Sequence, residues 1–378
     1  MYLPSAMSPS VDDISRLTLS HPDGVTPVLV GEGALAAAQP ELAAWLAGRT
    51  AFVVTTARVW ALHGDRLGPL SRCAARWVIL EVEDGEEAKS VSSAERLWNQ
   101  MLAAGGKRDS RLLAFGGGCA GDLGGFAAGC FLRGIEFVQL PTTLLAQVDA
   151  SIGGKTGVDL PGGKNTVGLF HHPRWVVSDT AVLPTLPREE LRSGMVEVVK
   201  MAALLDPDLF VLLEERMETL LEGDSEALGP VVAAAAAAKI AVVERDPTEK
   251  GDRRLLNFGH TLGHAIESAC EYAGLRHGEA VGYGILFALR LALARGLERR
   301  TAERIQALIV RLGLPPLPRL EPEILLAAMA RDKKALESGL VWVLPRILGQ
   351  GWMAGDIPAD EIRTRLRAFL SDPFGLPL

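Results

Sequence analysis

The residue types best suited to chemistry gather in one stretch of this 378-residue chain. In RRLLNFGHTLGHAIE, His260 and His264 stand four positions apart, so a helix places both imidazoles on one face. His277 opens HGEAVGYG, the start of a further helix. Facing helix ends can bring this third imidazole to the same point. The carboxylate candidate is Glu197 in GMVEVVKM, a charge embedded among Val196, Val198 and Val199. A buried charge needs a partner, either a metal ion or the nearby Lys200. Three imidazoles, one carboxylate and a neighbouring Asn257 predict a His/Glu divalent-metal site that keeps a coordination position open for substrate. Spacing alone does not say which histidine stands outside the ligand set.

A second chemical signal is glycine-rich. LLAFGGGCAGDLGGFAAG sets an apolar strand directly before Gly116-x-Gly118-x-x-Gly121 and a small-residue helix. Glycines let backbone amides close on a pyrophosphate, and the helix N-terminus favours its charge. The turn follows roughly the third strand, and no acidic residue ends the next strand, unlike the usual dinucleotide fingerprint. A ribose-reading group is expected instead from Asp84-Gly-Glu-Glu-Ala-Lys89, after the second strand. Between glycine turn and histidines, PTTLLAQVDASIGGKTGVDLPGGKNTVGLFHHP reads as a long polar loop supplying Asp149, Lys155, Lys164 and Asn165. Lysine and asparagine donors suit phosphate oxygens.

These groups need two kinds of scaffold. AFVVT, WVILE, LLAF, FVQL and WVV read as strands that alternate with helical patterns such as Ser92–Ala104, which predicts a parallel sheet covered by helices. From about Pro187 the pattern becomes helical, with segments expected at Glu189–Leu205, Pro207–Leu221, Glu226–Asp246, His260–Ala273, Ala280–Ala294, Ala302–Leu312 and Glu323–Arg331. The expected architecture is an α/β NAD-binding domain over residues 1–188 and a mostly α-helical metal- and substrate-binding domain over residues 189–378, with the active site in the cleft between them. The composition, 48% hydrophobic and 22% charged, can bury a large core. A net charge of −7 without a basic run excludes nucleic-acid binding through a cationic surface. Four scattered cysteines form no C-x-x-C pair, which fits a reducing compartment. No uncharged apolar run approaches membrane-spanning length and no secretory signal opens the chain, so the expectation is a cytoplasmic protein with no membrane partner.

Over roughly Asp84 to Pro345 the chain resembles the 3-dehydroquinate synthases of the sugar-phosphate cyclase group. The blocks that carry the resemblance are GGGCAGDLGGFAAG, PTTLLAQVDASIGGKTGVDLPGGKN, LPREELRSGMVEVVK, RRLLNFGHTLGHAIE and HGEAVGYG. It implies a Rossmann-like domain, one NAD and one Zn2+ or Co2+ per subunit, and a homodimer. It assigns the metal to Glu197, His260 and His277, and turns His264 toward substrate. NAD contacts carried over by position are Asp84, Gly85, Glu86, Glu87, Ala88, Lys89, Gly118, Cys119, Ala120, Gly121, Asp122, Thr142, Thr143, Lys155, Lys164, Val182, Leu183, Pro184 and Thr185. Lys155, Asn165, Lys334 and Arg133 of the partner subunit would hold phosphate, and Lys239 and Arg253 the substrate carboxylate. Asp149, Lys200, Asn257 and His264 would order hydroxyls and relay protons.

The reaction implied converts 3-deoxy-D-arabino-heptulosonate 7-phosphate to 3-dehydroquinate and phosphate, the second step of the shikimate route. NAD is transiently reduced, phosphate is eliminated, the hydride returns, and an internal aldol closes the ring. Cys119, Met201 and Pro247 depart from the family pattern without removing a named chemical group. Alternatives are another sugar-phosphate cyclase, or a metal-dependent polyol or alcohol dehydrogenase of the same two-domain plan, which would release NADH. A catalytically silent NAD- or metal-binding subunit should have lost part of this polar set, and the set is complete.

Overall fold

A computed structural model describes residues 14–270, 274–333 and 340–376, which form two compact units. The first runs to Leu186 and takes in Asp224–Ile240; the second comprises Pro187–Gly223 and the chain from Ala241 onward. Sequence pattern puts Asp224–Ile240 with the helical domain, whereas the structure puts it in the first unit. It is the apolar part of the helix Ser225–Arg245, whose Ala235 and Ala236 are fully buried. By length and hydropathy this helix is long and apolar enough to cross a membrane, and half of that apolar window is buried, as in an interior helix.

Among the described residues, nine strands lie in the first unit: β1 (Ser15–His21), β2 (Gly24–Gly31), β3 (Thr50–Thr56), β4 (Arg76–Val82), β5 (Arg111–Gly116), β6 (Glu136–Pro141), β7 (Lys155–Leu160), β8 (Gly163–Phe170) and β9 (Val176–Asp179). Seven of them make one sheet in the order β1-β2-β9-β6-β5-β3-β4, with β1–β2 antiparallel and the remaining pairings parallel. The side chains explain the packing. Phe52, Val54, Leu112, Ala114 and Phe137 point to one face and meet the helices Val91–Ala103 and Gly118–Cys130. Ala51, Val53, Leu113, Phe115 and Val138 point to the other. A sheet covered on both faces needs strands that are apolar throughout, which is why these runs are legible in the sequence.

Chain order reverses between β3 and β5, because β4 lies on one side of β3 and β5, β6 and β9 follow on the other. In an open α/β sheet the loops at the carboxyl ends of the strands flanking that reversal form the ligand crevice. The glycine turn follows β5, so its place on the third parallel strand is the one this topology requires.

The segment expected as a polar loop is folded. It forms a π-helical turn at Ala146–Ala150 and the antiparallel hairpin β7–β8. Gly157 and Gly168 face each other across the hairpin, and a Cβ on Gly168 would lie 2.3 Å from the Thr156 carbonyl oxygen. Glycine is therefore a condition for this pairing, although it reads as loop in the sequence.

The second unit contains the helices Arg188–Leu205, Pro207–Leu221, His260–Ala269, His277–Leu293, Arg299–Arg311, Pro322–Lys333 and Ala359–Ser371, with a ribbon of β10 (Trp342–Ile347) and β11 (Gln350–Ala354). Three of these helices approach each other backbone to backbone. A Cβ on Gly278 would sit 2.0 Å from the Ser193 carbonyl oxygen, and one on Gly284 would sit 1.8 Å from that of Gly259. Gly259, at φ +81, is left-handed and immediately precedes His260.

Candidate active site

Glu197 lies in the buried stretch of the helix Arg188–Leu205 and is itself 0% exposed. His260 is the first residue of its helix and His277 the first of the next. The close glycine contacts bring these three segments together, so His260 Nε2 lies 3.8 Å and His277 Nε2 3.7 Å from Glu197 Oε1. Lys200, one turn along from Glu197, places its ammonium against Oε2. The two kinds of partner that the sequence offers Glu197, a lysine and a cluster of imidazoles, thus both adjoin it.

The second ring nitrogens decide what the site can hold. His260 Nδ1 lies 3.1 Å from the Phe258 carbonyl oxygen, and His277 Nδ1 lies 3.1 Å from Glu267 Oε2. Both partners can only accept, so each Nδ1 carries a proton, which leaves the Nε2 of each ring, turned toward Glu197, as the atom whose lone pair a metal ion would take. Burial, then the charges of Lys200, His277 and His264, holds the His260 pKa well below its ordinary value. Burial also pushes His277 down, but Glu267 outweighs it and the net shift is upward.

Two imidazole Nε2 atoms and one carboxylate therefore converge without direct hydrogen bonds between them. Neither Glu197 oxygen accepts a hydrogen bond of ordinary geometry among the described residues. Ligands of a tetrahedral zinc ion, bound at about 2.0–2.1 Å, stand about 3.3 Å apart, close to the separations seen here. The donor set fits a borderline divalent cation. His264 is exposed, with its ring centroid 5.2 Å from that of His260 and 5.8 Å from that of His277. A second grouping, His264 with Glu267 and His277, also has its ligand atoms within 4.8 Å of one another. Glu267 is the one member that sequence reasoning misses. Its only signal is position, since it follows His260 by seven and His264 by three residues on one helix.

In the first unit the candidate cofactor residues collect at the carboxyl ends of β4, β5, β6 and β9. Asp84, Gly85, Glu86, Glu87, Ala88 and Lys89 form the turn after β4, and Gly118 through Asp122 open the helix after β5. Thr142 and Thr143 follow β6, and Val182–Thr185 lie in the 3-10 turn after β9. A Cβ on Gly121 would lie 2.8 Å from Gln139 Oε1, so this glycine serves helix-on-strand packing.

The buried Lys89 ties this group together. Its ammonium donates to Asp122 Oδ2 at 2.9 Å and to Asn165 Oδ1 at 2.5 Å, and lies 3.5 Å from Glu86 Oε1. Burial would lower its pKa, but Asp122 and Glu86 hold it above the ordinary lysine value. Glu86 also accepts from the Cys119 thiol at 3.1 Å. Burial would raise the Glu86 pKa, yet Lys89 and Lys164 bring it below normal. Burial raises the Asp122 pKa against the pull of Lys89. Replacing Lys89 by methionine leaves Asp122 without its ion pair and Glu86 with Lys164 alone. The expected cost is about 3 kcal/mol, the low end for a broken buried pair because Asp122 keeps some water contact. Denaturant unfolding of Lys89→Met measures it, and an unchanged midpoint would contradict it.

The remaining candidates are placed as follows. The Lys239 ammonium contacts the carboxylate and carbonyl oxygens of Asp149, both in the first unit. Lys155 begins β7, while Lys164 and Asn165 lie on β8, where Asn165 is left-handed at φ +52. Arg133 is exposed, and both it and Leu132 are left-handed, at φ +71 and +51, a strained pair of the kind found at functional positions. Arg253 is buried in the second unit and donates to the Pro247 carbonyl at 2.8 Å. Asn257 donates to Glu249 at 3.3 Å. Lys334 lies outside the described residues.

The doubly wound sheet and the helical second unit make a fold shared with solved sugar-phosphate cyclases. A 2-deoxy-scyllo-inosose synthase solved with carbaglucose-6-phosphate, NAD+ and Co2+ matches at a TM-score of 0.85 with 26% identity, over 94% of this chain and 100% of that one. A 2-epi-5-epi-valiolone synthase from Streptomyces hygroscopicus, solved with NAD+ and Zn2+, matches at 0.84 with 30% identity, over 98% and 99%. The chain belongs to the 3-dehydroquinate synthase family: the N-terminal family model matches residues 79–193 and the C-terminal one residues 194–335. A 3-dehydroquinate synthase of Pelotomaculum thermopropionicum is 41% identical over 354 residues, 93% of this chain and 94% of the relative.

Proposed function

We propose that this chain is a 3-dehydroquinate synthase, a lyase that converts 3-deoxy-D-arabino-heptulosonate 7-phosphate to 3-dehydroquinate and phosphate. The observation that carries the reading is the convergence of Glu197, His260 and His277, each offering a ligand atom within 4.8 Å of the others, in a chain whose relatives bear that name. When bound, a Zn2+ or Co2+ ion would polarise a substrate hydroxyl, and NAD would accept and then return a hydride.

The protein's own residues do the rest. Glu197, His260 and His277 hold the ion. The loop Asp84–Lys89, the turn Gly118–Asp122, Thr142, Thr143, Lys155, Lys164 and Val182–Thr185 hold the dinucleotide. In the Thr185 hydroxyl the proton is committed to the Val182 carbonyl at 2.8 Å, and His63 Nε2 lies 2.9 Å from the same oxygen. Thr185 can therefore offer a ligand only an acceptor lone pair. Lys155, Asn165, Lys334 and, in a homodimer, Arg133 of the partner subunit bind phosphate. Lys239 and Arg253 bind the substrate carboxylate. A substrate without that group would forfeit charge-assisted hydrogen bonds to both cations, which favours the acid over a sugar phosphate that lacks the carboxylate. Asp149, Lys200, Asn257 and His264 orient hydroxyls and hold or pass protons. The protein acts in the cytoplasm, in aromatic amino-acid biosynthesis.

The test is to incubate the protein with the heptulosonate phosphate, NAD and zinc while following phosphate, the carbocyclic product and NADH fluorescence. Phosphate and carbocycle should appear together with no net NADH. NADH accumulating in step with substrate consumption would favour a polyol or alcohol dehydrogenase and overturn the proposal.

A further inference from the structure

We infer that Glu267 is a positioning residue for the metal seat: its carboxylate takes the Nδ1 proton of His277 in a hydrogen bond and so aims that ring's Nε2 lone pair at the ion. The inference rests on the reading of Glu197, His260 and His277 as ligands. Glu267 is 4% exposed, and a carboxylate so enclosed requires strong donors. His277 Nδ1 supplies one at 3.1 Å.

The backbone of His277 is fixed from the other side. Gly278 rests on Ser193, its N–H donating to the Ser193 hydroxyl at 3.0 Å, and Glu279 accepts from the Arg276 N–H at 3.0 Å. Rotation of the imidazole is what these contacts leave open, and the bond to Glu267 closes it. The two ligand histidines thus differ: His260 is oriented by a neutral backbone carbonyl, His277 by an anion, which also makes its Nε2 the stronger donor.

Glu267 could instead be a ligand in its own right, with His264 and His277. That arrangement needs a lone pair on His277 Nδ1, whereas the 3.1 Å hydrogen bond from Nδ1 to the Glu267 carboxylate needs a proton there. It also draws on the exposed His264 in place of the fully enclosed Glu197.

Competition with a chromophoric chelator gives zinc affinities for the wild-type chain, Glu267→Ala, Glu267→Gln and Glu197→Gln, and Co2+ loading gives a visible spectrum for each. Glu267→Ala should bind zinc roughly 10–100-fold more weakly and shift the cobalt bands. Glu267→Gln, whose amide oxygen still accepts the Nδ1 proton, should lose less, and Glu197→Gln should lose far more. Wild-type affinity in both Glu267 variants would overturn the inference. So would a loss in Glu267→Ala as deep as in Glu197→Gln, because Glu267 would then be a ligand. If the alanine variant fails to fold, Glu267→Gln decides alone, by a several-fold loss or by none. A wild-type chain that takes up no zinc would instead sink the ligand reading, and the inference with it.

Discussion

His260→Ala is expected to empty the metal seat and lower kcat/KM at least ~10^3-fold, since a polarising ion is worth several kcal/mol of barrier and each ~1.4 kcal/mol is a factor of ten. The size follows from the geometry. The proposed seat has two imidazole nitrogens and one carboxylate oxygen, and His260 Nε2 lies 3.8 Å from Glu197 Oε1. Its removal leaves two ligands and opens a cavity beside a fully buried carboxylate that Lys200 already crowds. Zinc per chain by elemental analysis, measured with turnover, checks the prediction. A variant with full zinc content would refute the assignment of His260. A variant that lost zinc but kept its turnover would refute the need for the ion.

Gly284→Ala should be as damaging without touching a ligand. The new methyl carbon would lie 1.8 Å from the Gly259 carbonyl oxygen and 3.0 Å from the Gly263 nitrogen, both of them backbone atoms that no rotamer change can move aside. The helices His260–Ala269 and His277–Leu293 must then separate, at an expected cost of about 3 kcal/mol or more. Their first residues are His260 and His277, so the metal seat should open and zinc affinity fall with stability. Gly229→Ala is the matched contrast. Apart from its own helix backbone and chain neighbours, nothing lies within 4 Å of its added carbon, and the gain in helix propensity is opposed by Pro230, which disfavours helical backbone at a preceding residue that carries a Cβ, so the net change should stay within about 1 kcal/mol. Denaturant unfolding of the two variants beside the wild type measures both effects. Equal stabilities would show that backbone proximity at Gly284 is not what holds the helices.

The same glycines explain what the sequence could and could not tell. The strands β3 to β6 and β9 are legible because burial on both faces makes them unbroken apolar runs. The hairpin β1–β2 is not, because β1 (SRLTLSH) is half exposed at the sheet edge and reads as mixed polar chain. The hairpin β7–β8 is hidden by Gly157 and Gly168, whose cross-strand contact counts in sequence only as turn composition. In the metal cluster, spacing places His260 and His264 on one face, since both lie on one helix. It cannot choose among the histidines or find Glu267. Those relations depend on how three helices cross, which Gly263, Gly278 and Gly284 determine through contacts distant in sequence. The membership of Asp224–Ile240 in the first unit is concealed for a related reason, since an alanine-rich helix fits equally well against a sheet or other helices.

The most direct measurement is anomalous diffraction at the cobalt edge from crystals of the protein loaded with Co2+. A single strong peak is expected, bonded at about 2.0–2.2 Å to a Glu197 oxygen and to Nε2 of both His260 and His277. A peak on His264 and Glu267, or a cobalt-loaded crystal with no density among Glu197, His260 and His277, would contradict the account.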